Sequence, residues 1–260
     1  MDNAHLIGIT GTKFDNKEDE EKYDKWANGA YGPMLLNTTL MGINRCLVLE
    51  EEPEYPKYIT LNCTKNLEGF LTYAHSTERD AYYKDIRATW GNKMERPWQV
   101  VYQIAKRFEN GSDALNEGKE NADRNAVQEK EYTSENAPII QLKGLSLSAG
   151  DWEKYDAWVN EWGYDVYIPM LLKVPGVTEY SRCWLSNVGW FGAPPKPGVS
   201  EDPKYPQDLS IIYFENVKAY QNFRKSKELA AFEKNLAAEF PGGLSYKWDV
   251  ACRLFRRWTK

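Results

Sequence analysis

The sequence predicts an α+β fold in which two tandem ferredoxin-like units, each with the element order βαββαβ, form a barrel within one chain. Three observations support this: the chain repeats itself internally, both repeats alternate strand-like and helix-like patterns in the same order, and an acidic polar segment separates them. With 260 residues and 42% hydrophobic content, the chain has enough apolar material for two cores. We expect a first unit over residues 1–108, a polar linker over 109–136 and a second unit over 137–260.

The internal repeat consists of short motifs that recur in the same order. The pairs are Glu21–Trp26 with Glu153–Trp158, Pro33–Leu36 with Pro169–Leu172, Arg45-Cys46 with Arg182-Cys183, Tyr55-Pro56 with Tyr205-Pro206, Trp98 with Trp248, and Arg107-Phe108 with Arg257-Trp258. The offset between partners rises in steps from 132 to 150, as insertions in the second half would produce. Landmarks that keep one order over the whole chain indicate a duplicated unit.

Each repeat begins with a short apolar run of strand length, His5–Thr12 or Ile139–Leu147. Apolar and aromatic residues then recur at intervals of three and four over Lys17–Leu36 and Asp151–Leu172, which is the periodicity of a helix. The remaining predicted elements are two strands, a second helical region and a last strand: Gly42–Leu49, Tyr58–Cys63, Leu67–Trp90 and Trp98–Lys106 in the first repeat, and Thr178–Val188, Leu209–Phe214, Val217–Phe240 and Trp248–Phe255 in the second.

This element order places both helices of a unit on one face of a four-stranded antiparallel sheet. The other face is apolar and needs cover, so we expect the two sheets to pack against each other. A pocket between the sheets, lined by alternate strand positions and by the ends of the first helices, is then the predicted binding site.

Composition excludes several classes of function. Residues 109–136 contain eight acidic and three basic residues, which accounts for the net charge of -5 of the whole chain. No basic face is left for nucleic acid or an anionic membrane. The two histidines exclude a histidine-rich metal cage, and four widely spaced cysteines favour a reducing cytoplasm. With no apolar run of membrane-spanning length and no signal-peptide pattern, we expect a cytoplasmic protein.

The passage from Trp158 through Tyr167-Ile168-Pro169-Met170-Leu171 to Pro175-Gly176 resembles the helix-to-strand passage of EthD-like dimeric α+β barrel proteins. The whole-chain plan resembles bacterial chalcone isomerase and, more distantly, the chlorite dismutase group. The resemblance to bacterial chalcone isomerase implies acid/base catalysis by the histidine of the first-half His-x-Pro motif. In this chain Tyr31 occupies that place, in Tyr31-Gly32-Pro33, and Tyr167 is its repeat partner. This departure places chalcone isomerisation itself in doubt.

Three residues are candidates for proton transfer. Tyr31 and Tyr167 are predicted to lie at the pocket mouth, where a phenol is a natural general acid; alternatively each ring only closes its helix and packs on the sheet. His75, on the second helical region, is the candidate that titrates near neutral pH, although a surface or half-satisfied histidine is the commoner explanation of such a residue.

The candidates for substrate binding lie on predicted strands. Arg45 and Arg182 occupy equivalent positions, where they could clamp a carboxylate or phenolate or form outward salt bridges. Trp98 suits an aromatic ligand, yet such rings more often fill cores. Gln103 and Asp249 lie on the polar faces of the last strands, which line a pocket or face solvent.

These observations lead to one hypothesis and two alternatives. The leading hypothesis is a lyase or isomerase that needs no cofactor and acts on a small aromatic or polyphenolic molecule, with no nucleic-acid or membrane partner; further assembly into a homo-oligomer stays open. A haem protein of the chlorite dismutase type would need an axial histidine in residues 137–260, which contain none. The third interpretation is a barrel that binds a small molecule without catalysis.

Overall fold

The computed structural model describes residues 5–50, 52–110, 128–146, 152–186, 188, 205–241 and 244–260. The strands in this part are β1 (Leu6–Phe14), β2 (Leu40–Val48), β3 (Tyr58–Thr64), β4 (Met94–Glu109), β5 (Gln128–Glu131), β6 (Ile139–Ser146), β7 (Val177–Leu185), β8 (Asp208–Phe214) and β9 (Ser245–Thr259). The helices are α1 (Lys17–Trp26), α2 (Gly32–Leu36), α3 (Leu67–Ala74), α4 (Thr77–Trp90), α5 (Trp152–Trp158), α6 (Ile168–Leu172), α7 (Val217–Arg224) and α8 (Lys227–Glu239). Two π-helical segments, Ala27–Tyr31 and Val159–Tyr167, join α1 to α2 and α5 to α6.

Eight antiparallel strands form a closed barrel. The order around it is β2-β3-β1-β4-β7-β8-β6-β9, and β9 returns to pair with β2. Two seams therefore join the halves: β4 pairs with β7, and β2 pairs with β9. The predicted α+β class and the barrel are confirmed, but the two sheets meet edge to edge and not face to face. Closure leaves no free strand edges between the halves.

The inside of the barrel is filled by side chains. Ile7 and Ile9 of β1 and their repeat equivalents Ile140 and Leu142 of β6 point inward, into one cluster to which both halves contribute. An eight-stranded barrel is only just wide enough to be filled in this way. The pocket that we predicted between two sheets is therefore replaced by a packed core, and any binding site must lie elsewhere.

The helices cover the outer face of the barrel, and their ends are capped at repeated positions. Asn66 and Asn216 cap α3 and α7, and Ser76 and Ser226 cap α4 and α8, each through a side-chain oxygen that accepts from the backbone N–H of the third helical residue. Each predicted second helical region is thus two helices, because these serines cap a new helix after a break of two residues. Separate apolar clusters lie under the helices of each half.

The segment between the halves was predicted as a polar linker over 109–136. Residues 111–127 of it lie outside the described residues, whereas its last part forms β5, which pairs with the end of β9. Glu129 and Glu131 of β5 form ion pairs with Arg256 at 2.6 and 3.0 Å. Among the described helices, none is long and apolar enough to cross a membrane.

Candidate functional site

A cavity lies between the helices and the sheet of the second half, on the outer face of the barrel. Its lining includes Tyr155, Trp158, Gly163, Tyr167 and Phe232 from the helical layer, and Gln141, Lys143, Tyr180, Arg182, Ser210 and Tyr246 from the strands. The space left between these side chains is about 40 Å³, enough for two or three water molecules. An aromatic ring would enter only if wall side chains changed rotamer.

The matching space in the first half is filled, and one row of residues across the sheet explains the difference. On the face toward the helices, neighbouring strands of the first half place five residues side by side: Val101, Gly8, Asn62, Ile43 and Trp258. The equivalent residues of the second half are, in the same order, Ala251, Gln141, Ile212, Tyr180 and Phe108. The Trp258 indole is seated on Gly32, where an added Cβ would lie 2.5 Å from the ring. Ile168 occupies the place of Gly32 in the second half, so a large indole cannot enter there in the same way.

Arg182 forms a fixed part of the cavity floor. Its guanidinium donates to Asp208 at 2.6 Å, to Asp156 at 3.2 Å and to the Tyr164 hydroxyl at 3.1 Å. Arg182 and Asp208 each have a side chain that is only 1% exposed. Burial raises the pKa of Asp208, and the guanidinium beside it acts in the opposite direction. We regard Asp208 as ionised, because a buried arginine would otherwise lose its closest counter-charge.

Two hydroxyl groups at the cavity wall remain protonated at neutral pH. Tyr167 donates to the Ala231 carbonyl at 3.2 Å, and burial raises its pKa above the usual value. The Tyr180 hydroxyl lies 2.5 Å from Ser210 Oγ, and burial raises the pKa of Tyr180 as well. Both phenols can therefore donate protons, and neither is a base near neutral pH.

Among the lining residues that the structure describes, Gln141 has a buried polar atom without a hydrogen-bond partner. Its Nε2 donates to Asp249 Oδ1 at 2.6 Å, and Asp249 Oδ2 is held by Arg224 at 3.0 Å. Gln141 Oε1 is buried and has no hydrogen-bond partner. An acceptor left in this state costs about 1–3 kcal/mol of stability, unless water or a ligand supplies a donor.

The structure brings three of the predicted site residues to this cavity: Tyr167 and Arg182 line it, and Asp249 holds Gln141. Tyr31 lies instead in the first-half core, where its ring stacks on Tyr82 with centroids 3.9 Å apart. Burial raises the pKa of Tyr31 well above its ordinary value. His75 is exposed at the end of α3, away from the cavity lining.

The other predicted binding residues also lie away from the cavity. Arg45 pairs with Asp24 at 2.9 Å and also donates to Asn28. Trp98 is inside the barrel, stacked on its repeat partner Trp248 at 4.0 Å. Gln103 is half-buried on β4, between Leu6 of β1 and Trp184 of β7. Their proposed roles toward a ligand remain predictions.

Sequence reasoning missed Gln141, Tyr180 and Asp208. A signal was present for Gln141, because a lone amide in the apolar run Ile139-Ile140-Gln141-Leu142 is unusual for a strand buried on both faces. Asp208 and Tyr180 carried no such signal: their meeting with Arg182 and Ser210 depends on how β7 pairs with β8.

The residues of the cavity do not fit a haem group. Residues 137–260 contain no histidine, and a tyrosine ligand would have to bind as a phenolate, whereas burial raises the pKa of Tyr167. The space of about 40 Å³ is also far smaller than a porphyrin. Nowhere in the described part of the chain do three or more histidine, cysteine, aspartate or glutamate side chains form a group that could hold a metal ion.

No protein-family model and no curated protein sequence matches this chain. Solved structures with a similar fold include a protein from Fusobacterium nucleatum described as a candidate monooxygenase, with 8% identity, a TM-score of 0.61, and coverage of 100% of this chain and 96% of that one. A chlorite dismutase variant from Candidatus Nitrospira defluvii has 8% identity, a TM-score of 0.54, and coverage of 97% and 92%. An anthrone oxidase-like protein has 11% identity, a TM-score of 0.50, and coverage of 99% and 94%.

At these identities the likeness establishes the fold alone. It supports the more distant of the two resemblances, the one to the chlorite dismutase group, at the level of the fold. The resemblances to EthD-like proteins and to chalcone isomerase gain no support from these structures.

Proposed function

We propose that this chain binds a small aromatic molecule in the second-half cavity and acts on it, without a cofactor, as a lyase or isomerase. The observation that carries this proposal is the lining itself: aromatic rings from α5, α8 and the π-helical segment surround the Tyr167 phenol above a floor that the Arg182 ion pairs hold in place. Apolar walls with a few convergent polar groups are the usual form of a small-molecule site. Entry of the ligand requires Trp158 and Phe232 at the wall to change rotamer.

Tyr167 is the proposed general acid. Its O–H is directed at a backbone carbonyl, and a substrate atom that gains electron density could replace that carbonyl as the acceptor. Because burial raises its pKa, Tyr167 stays protonated over the neutral range and is ready to donate. Tyr31 has the same sequence context but lies in a filled core, so we assign it to packing.

Lys143 is the proposed stabiliser of negative charge on the substrate. Arg182 is already neutralised by two carboxylates and serves to fix the floor. Lys143 pairs with one carboxylate, Glu233, at 3.4 Å, and that side chain is 53% exposed. A half-buried cation whose counter-ion is open to water is the one more available to a developing phenolate or enolate.

We also propose that each half is a ferredoxin-like unit. In support, both halves contribute four strands in the same internal order, with the last strand next to the first and the second at the far edge. Both halves also carry their helices on the outer face of the barrel. The duplication inferred from the sequence would produce this arrangement.

The proposal is tested with flavonoids and other phenolics as trial substrates. Binding is followed by tryptophan fluorescence, to which Trp158 of the cavity lining contributes, and products are analysed by mass spectrometry together with oxygen uptake. We expect a product isomeric with the substrate, or two fragments that sum to it, with no oxygen consumed. Oxygen uptake with an added oxygen atom would favour the oxygenases of this fold, and a Soret band in the purified protein would favour a haem protein.

Binding without turnover is the second candidate function. The observation that favours it is the state of the titratable lining groups: the phenols are protonated, and Lys143 and Arg182 are ion-paired. No described lining group is thus a free base near neutral pH. Saturable binding of a phenolic compound that is recovered unchanged would support this candidate.

A further inference from the structure

We infer that Gln141 selects the ligand, and that the ligand carries an O–H or N–H donor, as a hydroxylated arene or an N–H heteroarene does. This inference rests on the proposed binding function of the cavity. It goes further by naming the atom that recognises the ligand, Gln141 Oε1, and the kind of ligand group from which this atom accepts a hydrogen bond.

The orientation of the Gln141 amide is set by its neighbours. Asp249 Oδ1 accepts from Nε2 at 2.6 Å, and Arg224 holds the other oxygen of the same carboxylate at 3.0 Å. A flipped amide would place its oxygen against this carboxylate, where two acceptors repel each other. The salt bridge therefore keeps Oε1 as the free end of the amide.

No group of the protein satisfies that oxygen. Gln141 is 1% exposed, and Oε1 has no hydrogen-bond partner. Its neighbours across the sheet are Ala251 and Ile212, which bring no polar side chain, and the backbone groups of β6 are engaged with β8 and β9 on either side. Gln141 is one of the residues that line the cavity, so we infer that a molecule inside the cavity supplies the donor.

The remaining polar groups of the cavity act mainly as donors or are already paired. Arg182 and Lys143 are ion-paired cations that can only donate, Tyr167 is itself a donor, and the hydroxyls of Tyr180 and Ser210 share a hydrogen bond with each other. A ligand with only acceptors, such as an ether, leaves Oε1 unsatisfied when it displaces water. A ligand with a donor satisfies it, and the aromatic walls favour a flat ring as the rest of that ligand.

The repeat shows that the fold itself does not require this glutamine. Gly8 holds the equivalent position of the first half, next to Asn62. Asn62 Oδ1 is also buried without a partner, but it lies under the helices of the half whose space Trp258 fills. Asn62 therefore offers a matched control: an amide in a similar environment that is not part of the cavity lining.

The test uses the full chain and two pairs of probes, 2-naphthol with 2-methoxynaphthalene and indole with 1-methylindole, measured by titration calorimetry. We expect the donor member of each pair to bind roughly 10- to 100-fold more tightly, as expected for one buried acceptor left unpaired. Gln141→Met keeps the side-chain length and removes the acceptor. This variant should therefore lose the preference for the donor probes and should still bind the methylated probes. Asn62→Ile, which copies Ile212, should keep the wild-type preference.

A second variant tests the orientation of the amide independently. Asp249→Asn removes the charge that holds Nε2, so the Gln141 amide can flip and the preference for donors should shrink. Equal binding of both members of each pair by the wild-type chain would overturn the inference and leave the binding function standing. A donor preference that survives Gln141→Met would overturn it as well. Failure of all four probes to bind would overturn both.

Discussion

At the scale of single residues, the two equivalent arginines show how position in the structure changes the same sequence motif. Arg45 and Arg182 both lie on the helix-facing side of the barrel and pair with the aspartate of the repeated Tyr-Asp motif. Arg182 has a second partner, Asp208, where the first half has Tyr58. The second half therefore buries a complete ion pair next to its cavity, whereas Asp24, the partner of Arg45, is 38% exposed.

Removing the two arginines should have unequal effects on stability. Arg182→Met leaves Asp208 buried without its counter-ion, and we expect a loss of about 3–5 kcal/mol in the free energy of unfolding. Arg45→Met leaves Asp24, which water can solvate, so the loss should be smaller, about 0.2–1 kcal/mol. Urea unfolding of both variants measures the difference. Equal losses would mean that Asp208 gains solvent or a proton more easily than its burial indicates.

Tyr167 and Tyr31 are repeat partners, so their phenylalanine variants form a matched pair for a test of activity. Tyr167→Phe should lower kcat on the true substrate by roughly 10²- to 10⁴-fold, because it removes the proposed general acid and almost no volume. Tyr31→Phe should leave kcat near the wild-type value. Because burial raises the pKa of Tyr167, the wild-type rate should not fall through loss of this acid below about pH 10. A large loss for Tyr31→Phe alone would place the chemistry in the first half.

At the scale of elements, glycines mark where strands and loops approach too closely for a side chain. Gly11 of β1 and Gly144 of β6 are equivalent, and an added Cβ would lie 2.6 Å from Pro56 and 2.4 Å from Pro206, respectively. The Tyr-Pro motif of each half is therefore packed directly on its first strand. This contact explains why glycine and Tyr-Pro recur together in the repeat.

Gly144→Ala should be destabilising by about 1–3 kcal/mol, because the proline ring is stiff and must shift to make room. Gly29, in the first π-helical segment, is the control: an added Cβ there meets nothing within 4 Å. Gly29→Ala should be neutral or stabilising by roughly 0.5–1 kcal/mol, since alanine loses less conformational freedom in a helix. Thermal unfolding of both variants provides the measurement. A Gly144→Ala variant as stable as wild type would show that the Pro206 loop can move away without a measurable cost in free energy.

At the scale of the whole molecule, neither half is complete without the other. The interior cluster draws side chains from both halves, and the seams β4–β7 and β2–β9 hold them together. The last strand of each half also carries a ring to the helical layer of the other: Trp258 covers Gly32, and Phe108 packs on Tyr164. The halves are duplicated in sequence but interdependent in structure.

Expressed alone, residues 1–108 or 137–260 should therefore aggregate or self-associate, since each would expose two strand edges and the apolar interior of an open barrel. Co-expression of the two pieces should restore a soluble complex. Size-exclusion chromatography and circular dichroism distinguish these states. A monomeric half that unfolds cooperatively on its own would contradict the interdependence.

The sequence by itself determined the duplication, the order of elements in each half and most of their boundaries, because repeated motifs and apolar periodicity are local properties of the chain. Only the tertiary structure decided that the sheets join edge to edge, that the barrel interior is filled, and that the cavity lies under the helices of one half. These features depend on which residues become neighbours across paired strands. Gln141 beside Ile212, and Phe108 where the other half has Trp258, leave space next to an open acceptor in the second half. Residues far apart in the sequence form that site, so a local pattern could mark Gln141 as unusual but could not place it beside a cavity.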